Sequence, residues 1–322
     1  MKERILQHLN RSAVSPWSIN NLLTESSYLN FIQCFNTQKI YQASAINCFS
    51  NFFNLNFLVE TLNTRRLSFP RCRLIKCGNL IPPMSYTLRK PGALGEIINA
   101  LHVTKVTQLI GEGATLAIDF CEDLWGSINE VCGDISTIFS EKTGATLFFS
   151  SGRDVGFTSH WDNSDVIVYQ LSGRKRWKIY SKTVEMPIDE NKDAMLPPTE
   201  DTFLDTTLGT NDILYIPRGY WHAPEPCGEH SLHLSFAFRR RNGMDYIKWL
   251  TNKFCEELVI RKDIDRYADS SDITSYLEHL KSAMCEHINV RTLTEYIESC
   301  DNQPFRQESF TEHALLQSNT GL

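Results

Sequence analysis

The sequence has ten cysteines but lacks the pairing pattern that cysteine-based sites use. The cysteines are scattered along 322 residues, and no C-x-x-C pair occurs among them. Structural zinc sites usually draw on such closely spaced pairs, so a cysteine zinc site is not expected. A disulfide framework is not expected either, since the polar start MKERILQHLNRSAVSPW lacks the apolar core of a secretory signal peptide. The cysteines are interpreted as reduced thiols of a cytoplasmic protein.

The sequence also lacks an uninterrupted hydrophobic run of membrane-spanning length. Residues 40–59 carry no charge, but four asparagines, one glutamine and two serines interrupt them. A spanning helix needs about 20 predominantly apolar residues. No membrane segment is therefore expected, and the hydrophobic share of 42% with a charged share of 22% is typical of a soluble globular protein.

An excess of positive charge is missing as well. The formal net charge is −6, which gives no electrostatic reason to expect nucleic acid as the main ligand. A slightly acidic chain could suit a basic protein target.

Residues 145–239 have the sequence pattern of a β structure. Short segments rich in β-branched and aromatic residues are bounded there by glycine, proline, aspartate or asparagine, which predicts several closely spaced antiparallel strands in a sandwich or barrel. The five predicted strands are ATLFFSS, DVIVYQL, RWKIYS, DILYIP and LHLSFAF.

The flanking regions predict helices and a few more strands. Apolar spacing predicts helices in NLNFLVETLN, in GEIINALHV and in DLWGSINEVCGDISTIFSEKTG, the last with Gly144 just past its end as a helix stop. RCRLIKCG and GATLAIDF are predicted strands. After residue 241 two amphipathic helices are expected, which would pack on the barrel or form a dimer contact. Their apolar faces would hold Ile247, Leu250, Phe254 and Leu258 in the first helix, and Ile273, Leu277, Leu280, Met284 and Ile288 in the second.

His160 and Asp162 stand two residues apart in the segment SHWD. In extended backbone, side chains at i and i+2 point to the same face, so this imidazole and carboxylate can approach one ion from one side. The tripeptide alone is weak evidence, because a surface histidine beside a turn aspartate arises easily by chance.

A second segment, LGTNDILYIPRGYWHAP, adds His222 directly after a bend formed by Pro217 and Gly219. A barrel would bring this imidazole to its interior. Two histidines and one carboxylate form the facial triad suited to non-haem Fe(II), with positions left open for chemistry. Residue types alone leave zinc open as a less favoured alternative.

These motifs resemble a known family. The pattern G-x(7)-P-x-G-x-x-H at residues 209–222 resembles the second cupin motif. Joined to HWD and QLSGRKRWKIY, it resembles the JmjC-type 2-oxoglutarate oxygenases, and within them the ribosomal-oxygenase branch, whose members hydroxylate side chains of ribosomal proteins. The resemblance is strongest over residues 113–238.

The resemblance implies an α+β fold: a double-stranded β-helix of the cupin or jelly-roll type, with flanking helices. Residues 1–240 would form the oxygenase domain with an N-terminal mixed α/β extension, and residues 241–322 a helical region for possible homodimerisation. It also implies that His160, Asp162 and His222 hold Fe(II) and act with 2-oxoglutarate and O2.

By the same resemblance, Lys175 would hold 2-oxoglutarate, since the family places a basic residue fifteen positions after its first histidine. A lysine ammonium can pair with the distal carboxylate, while strand alternation turns Arg174 and Arg176 to the other side. The alternative is that Lys175 is an ordinary solvent-exposed lysine of a hairpin, without a functional role.

Further co-substrate contacts are less fully matched. Ser235, in SLHLSF, resembles the hydroxyl of the family's S-x-H-x-T strand. His233 on the same face is interpreted as a core histidine. Thr146 stands where relatives often carry asparagine, and Phe148 where tyrosine is common. Both departures remove polar groups near the expected co-substrate.

The activity implied is hydroxylation of an unactivated C–H bond, most readily of a side chain in a protein or peptide. Three alternatives remain open at this point: an N-methyl-lysine demethylase, a hydroxylase of free amino acids or biosynthetic peptides, and a non-catalytic cupin binding protein. The identity of the carbon oxidised lies beyond the sequence.

Overall fold

The computed structural model describes residues 18–51, 53–152, 156–191, 196–199 and 202–302. The last dozen residues of the chain lie outside these ranges. The chain divides into two compact units, residues 1–239 and 240–322.

In the first unit, short helices flank a large antiparallel sheet. The helices are α1 Ile19–Leu22, α2 Glu25–Asn36, α3 Leu55–Thr64, α4 Val103–Gly111 and α5 Gly126–Phe139. The strands are β1 Tyr41–Ser44, β2 Cys72–Lys76, β3 Asn79–Leu80, β4 Thr87–Pro91, β5 Ile97–Leu101, β6 Thr115–Ile118, β7 Thr143–Ser150, β8 Asp165–Lys182, β9 Leu204–Leu208, β10 Asp212–Ile216 and β11 Tyr220–Phe238.

The strand order of the main sheet is β1-β10-β8-β11-β7-β6-β2-β3, with β9 added on β8. Every pairing in it is antiparallel. This arrangement confirms the expected α+β class with a double-stranded β-helix. Strands β4 and β5 form a separate hairpin.

Strands β8 and β11 are unusually long, with 18 and 19 residues, and they pair with each other along most of their length. The prediction of separate strands DVIVYQL and RWKIYS was wrong, because Gly173 bends β8 without ending it. Gly173 has φ of +66°, and a Cβ there would overlap the carbonyl of His230. Only glycine fits this position, so a turn signal in the sequence became a bend within one strand.

A β-bulge in β8 decides which of its side chains face inward. Leu171 is the extra residue that the register with β11 leaves unpaired. Val166 and Val168 precede this bulge while Trp177 and Ile179 follow it, yet all four belong to one buried cluster inside the barrel. The inward positions therefore change from even to odd numbers across the bulge.

Two local predictions in the first unit were wrong. GEIINALHV is not a helix: its residues 97–101 form β5, which pairs with β4 across a tight turn at Gly92 and Gly95. Gly144 does not end α5, because Ser140 takes the left-handed conformation itself with φ of 54° and closes the helix earlier. Gly144 lies in β7 instead.

The larger core lies between the outer face of the sheet and helices α2 and α5. Phe31 of α2 is fully buried and makes edge-to-face contacts with Tyr215 of β10 and with Phe139 of α5. Phe139 in turn stacks on Phe238 of β11, with ring centroids 4.8 Å apart. These aromatic contacts fix the helical layer on the sheet.

The described part of the second unit is helical. It contains α6 Gly243–Phe254, α7 Leu258–Arg261, α8 Ser270–His287 and α9 Val290–Asp301. Leu258 does not continue the face of Ile247 and Leu250, because α6 ends at Phe254 and Leu258 is 72% exposed at the start of α7. Helices α6 and α9 meet through Tyr246, whose hydroxyl lies 2.7 Å from Thr292 Oγ1.

Within the described residues, no helix combines the length and apolarity needed to cross a membrane.

Replacing Phe31 with alanine should lower the free energy of unfolding by about 3–5 kcal/mol, since it removes a fully buried ring and leaves a cavity. Urea denaturation followed by far-UV circular dichroism measures the loss. Leu29→Ala is the matched control, because Leu29 is on the same helix but 47% exposed, and it should change stability by less than about 0.5 kcal/mol. Equal losses in both variants would contradict the assigned core.

Candidate metal centre

His160 and His222 are held side by side by their backbones. The amide of His160 donates to the carbonyl of His222 at 3.0 Å, and the amide of His222 donates to the carbonyl of His160 at 2.7 Å. This reciprocal pair is an isolated antiparallel bridge between the segment before β8 and the start of β11. The two imidazole rings consequently lie with centroids 4.3 Å apart.

Asp162 is held by the bend that precedes β11. Its carbonyl accepts a 3.0 Å hydrogen bond from the amide of Gly219. Gly219 has φ of +87°, and a Cβ there would lie 2.8 Å from the ring of Pro187. The glycine of the sequence motif is therefore required by both conformation and space.

The three side chains converge on one point. One ligand atom from each of His160, Asp162 and His222 lies within 4.8 Å of the other two. The carboxylate Oδ2 of Asp162 is 3.5 Å from Nε2 of His222. Among the residues that the structure describes, this is the single cluster of histidine, cysteine and acidic side chains with such spacing.

Backbone carbonyls select the tautomer of both histidines. Nδ1 of His160 lies 2.8 Å from the carbonyl of Thr158, and Nδ1 of His222 lies 3.1 Å from the carbonyl of Tyr220. Because a carbonyl can only accept, each Nδ1 carries the proton and each Nε2 keeps a free lone pair. A ring nitrogen that donates to a backbone carbonyl while the other faces outward is typical of metal-ligating histidines.

The environment of His222 favours the neutral imidazole. Burial lowers its pKa to about 4, and the neighbouring His160 acts in the same direction, while Asp162 opposes both. A neutral imidazole is the form that binds a metal ion. The donor set of two such nitrogens and one carboxylate fits a divalent first-row metal, and it matches the facial arrangement of non-haem Fe(II) sites.

Lys175 lies inside the barrel, as its position in the strand predicted, while Arg174 and Arg176 lie outside on ion pairs with Glu229 and Asp205. The Lys175 side chain is 4% exposed. Its cross-strand neighbours Leu208 and Pro226 offer no charge. Burial therefore lowers the pKa of Lys175 to about 8.

The ammonium group of Lys175 donates one hydrogen bond, at 3.0 Å, to the hydroxyl of Ser150. No carboxylate pairs with it among the described residues. A buried cation with so few partners is costly unless an anion joins it. The site therefore fits the carboxylate of a small co-substrate.

Two unsatisfied polar atoms line the path from Lys175 to the triad. Nδ1 of His233 and Nε1 of Trp177 are buried without a hydrogen-bond partner in the described structure. The Trp177 ring contacts both His233, at 5.7 Å, and His222, at 6.0 Å. Burial, and then the charge of Lys175, lower the pKa of His233 to about 3, so its imidazole is neutral. Such atoms suit an oxygen-rich ligand between lysine and metal.

Thr146 and Ser235, the remaining candidates, lie on the same inner face but have different contacts. Thr146 pairs in register with Ser235. The Thr146 hydroxyl donates to Asp119 at 3.1 Å, and that carboxylate also binds Arg73. Ser235 is half-buried. Phe148 stacks on His233 with ring centroids 5.0 Å apart. It therefore presents an apolar ring where a tyrosine would add a hydroxyl.

Sequence reasoning missed Ser150 and Trp177. Ser150 follows Thr146 and Phe148 at two-residue steps along β7, so strand alternation alone could have placed its hydroxyl on the inner face. Trp177 is likewise two positions beyond Lys175. No motif singles out either residue.

A comparison with family models agrees with this geometry. Residues 126–246 match the model of the JmjC domain. The matched range contains His160, Asp162, Lys175 and His222.

The curated relatives carry two kinds of name. The chain is 34% identical over 134 residues to ribosomal oxygenase 2 of Rattus norvegicus, covering 40% of this chain and 27% of that protein. It is 31% identical over 111 residues to the bifunctional lysine-specific demethylase and histidyl-hydroxylase NO66 of Drosophila persimilis, covering 34% of this chain and 16% of that protein. The chain thus spans well under a third of the length of either relative.

Solved structures share the fold at low identity. The ribosomal oxygenase YcfD of Escherichia coli superimposes with a TM-score of 0.56 at 16% identity, covering 92% of this chain and 78% of that one. Another YcfD structure, in complex with cobalt and 2-oxoglutarate, gives 0.55 at 17% identity, covering 88% and 73%. Residues 126–246 of this chain therefore match the JmjC domain, and proteins named ribosomal oxygenase are among its relatives.

Proposed function

We propose that this protein is an Fe(II)- and 2-oxoglutarate-dependent oxygenase that hydroxylates an unactivated C–H bond in an amino-acid side chain of a protein or peptide. One observation carries the proposal. His160, Asp162 and His222 converge in the same barrel in which Lys175 is buried without an anionic partner among the described residues.

In this proposal each residue has a distinct task. His160, Asp162 and His222 hold Fe(II) on one side, and the Nδ1–H bonds to Thr158 and Tyr220 keep the two imidazoles aimed at it. Lys175 and the Ser150 hydroxyl bind the distal carboxylate of 2-oxoglutarate. The bound pair of metal and co-substrate supplies O2-derived oxygen for the C–H bond, with release of succinate and CO2.

The apolar surroundings serve the same chemistry. Phe148, His233 and Trp177 form a continuous wall of rings between Lys175 and His222. A wall of this kind keeps bulk water from the co-substrate and strengthens the pairing of its carboxylate with the lysine. Thr146 and Ser235 are proposed as further contacts on the neighbouring part of the wall.

Protein substrates are supported by the names of the relatives, which include a histidyl-hydroxylase and a lysine-specific demethylase. Hydroxylation is preferred, and the mass change of the product separates the two outcomes: a gain of one oxygen for hydroxylation, a loss of one methylene for demethylation. A cytoplasmic location stays a prediction, and ten free thiols fit it.

The decisive experiment incubates the protein, purified without oxygen, with Fe(II), 2-oxoglutarate, O2 and a library of histidine-containing and lysine-containing peptides. Succinate formation that requires Fe(II) is the expected result, together with a product heavier by one oxygen. Alanine at His160 or Asp162 should weaken Fe(II) binding more than about 100-fold, because even outer-shell partners of metal ligands are worth about 10- to 100-fold. Titration calorimetry measures the binding.

His279→Ala is the matched control for these variants. His279 is an exposed histidine of α8 whose ring nitrogen contacts a carbonyl of its own helix. It should retain metal binding and succinate formation. Full activity in the His160 variant, or no Fe(II)-dependent succinate in the unmodified protein, would contradict the proposal.

The proposed lysine contact predicts a pH dependence. Only the charged ammonium attracts the carboxylate, and the pKa of Lys175 is about 8, so binding is favoured below that pH and lost above it. Between pH 7.5 and 9 the KM for 2-oxoglutarate should rise about eightfold, the ratio of the charged fractions, with a smaller change in kcat. Steady-state kinetics across this range measures the two constants separately.

Three variants isolate the lysine. Lys175→Arg keeps its charge, so its KM should stay flat up to pH 9. Lys178→Met removes a lysine of the same strand that pairs with Glu225, and it should leave the profile unchanged. His233 stays neutral in this range and does not contribute to the profile. Cys227→Ser therefore tests whether the thiol near Lys175 contributes to it. An unmodified protein with a flat profile would rule out Lys175 as the anchor.

We further propose that the second unit forms a homodimer. Helix α8 exposes Ile273 and Leu277 one turn apart, and α9 exposes Leu293 and Ile297 with the same spacing. Two amphipathic faces left open in one small unit favour burial against a second copy, in a self-complementary contact.

Light scattering should report a dimer for the unmodified protein at micromolar concentration. The double variant Ile273→Glu/Leu277→Glu should be a monomer, because it places charges on the apolar face. Ser275→Glu/Ser282→Glu adds the same charge about half a turn away on α8, and it should remain dimeric. A monomeric unmodified protein would exclude the dimer.

A further inference from the structure

A second cavity lies in the first unit on the outer side of the sheet. Its volume is ≈ 860 Å³, and its walls are helix α3 with the loop that follows, helix α4, and the hairpin of β4 and β5. Phe149 and Ser151 at the end of β7 complete it. Phe149 alternates with Phe148 and Ser150, which face His233 and Lys175 inside the barrel. The cavity and the metal centre therefore lie on opposite faces of β7.

Two helix faces supply the apolar part of the lining. Val59 and Leu62 come from α3, and Val103, Val106 and Ile110 come from α4 at intervals that place them on one side of the helix. Val106 belongs to the buried core, whereas Val103 is 74% and Val59 49% exposed. These valines leave apolar surface open within a concave site, a combination typical of ligand pockets of about 300–1,000 Å³.

All the charged residues of the lining are positive. Arg65 and Arg66 follow α3 on one side, and Lys90 of β4 stands on the hairpin. No aspartate or glutamate occurs among the described residues that line the cavity. The side chains of these three cations have no ion pair or hydrogen bond within the described part of the chain, although the chain as a whole is acidic with a net charge of −6.

Charge and apolarity together specify the chemistry of an occupant. Three cations without acidic partners favour an anion, and arginine favours the planar oxygens of a carboxylate or a phosphate. The apolar helix faces favour a hydrocarbon or aromatic body next to that anion. An inorganic anion would leave the apolar walls open, and an uncharged apolar molecule would leave the cations unpaired.

We propose that this cavity binds a small amphiphilic anion, with its carboxylate or phosphate on Arg65, Arg66 and Lys90 and its apolar body between α3 and α4. The site is independent of the metal centre and of the proposed oxygenase activity. Binding is therefore measured without Fe(II) or 2-oxoglutarate.

Fluorescence of 8-anilinonaphthalene-1-sulfonate, an anion with aromatic rings, provides the binding signal, and decanoate below its micellar concentration provides the competitor. Decanoate should displace the probe, whereas 1-decanol and inorganic phosphate, each carrying one half of the recognised chemistry, should be at least tenfold weaker. The triple variant Arg65→Gln/Arg66→Gln/Lys90→Gln should raise the dissociation constant of decanoate at least tenfold. All three residues are exposed, so unchanged thermal midpoints are expected.

Arg89→Gln is the matched control, because Arg89 precedes Lys90 on β4 and is absent from the lining. Its dissociation constant should stay within twofold of the unmodified protein. Thr107→Trp places a large ring in the cavity from α4 and should abolish probe binding there, which separates this cavity from other apolar surfaces. Equal displacement by decanol and decanoate, an unaffected triple variant, or displacement only by an acidic peptide would each overturn the proposal.

Discussion

The reciprocal backbone hydrogen bonds between His160 and His222 are the constraint on which the rest of the site depends. They join two segments that are 62 positions apart in sequence, and they do so through main-chain atoms. The side chains are thereby left free to present their Nε2 atoms. Gly219 then fixes Asp162 by a third main-chain bond, so main-chain contacts position all three proposed ligands. Such preorganisation lowers the cost of assembling a site from flexible side chains.

The same barrel contains buried polar and charged groups that lower the stability of the fold. Lys175 is buried against Leu208 and Pro226, and Nδ1 of His233 and Nε1 of Trp177 have no hydrogen-bond partner among the described residues. Each of these features costs folding free energy in the isolated protein. A dicarboxylate that reaches from Lys175 toward the triad would pair them, so the unfavourable features share one explanation. Their clustering favours a functional reason over local packing defects.

Much of this arrangement could be predicted from the sequence because it depends on local rules. The i, i+2 spacing of His160 and Asp162 and the alternation around Lys175 follow from extended backbone, and the IPRG bend indicates the entry of His222. The rest depends on tertiary contacts. Ile97 and Ile98 stand four and three positions before Leu101, which is helical spacing, but the turn before them pairs their segment with β4. The cavity beside α3 and α4 combines residues from five elements, and no short motif contains them.

After the bulge at Leu171, the faces of β8 depend on whether an insertion or deletion adds or removes an odd or an even number of residues. Loss of one residue between this bulge and Lys175 would exchange the two faces of the following strand, bringing Arg174 or Arg176 toward the barrel and turning Trp177 outward. Loss of two residues would keep the faces and shift only the depth of the lysine. Chain-length variation in this stretch is therefore expected to occur in even steps. The fifteen positions between His160 and Lys175 consequently decide which face of the strand the lysine occupies as well as how far along it lies.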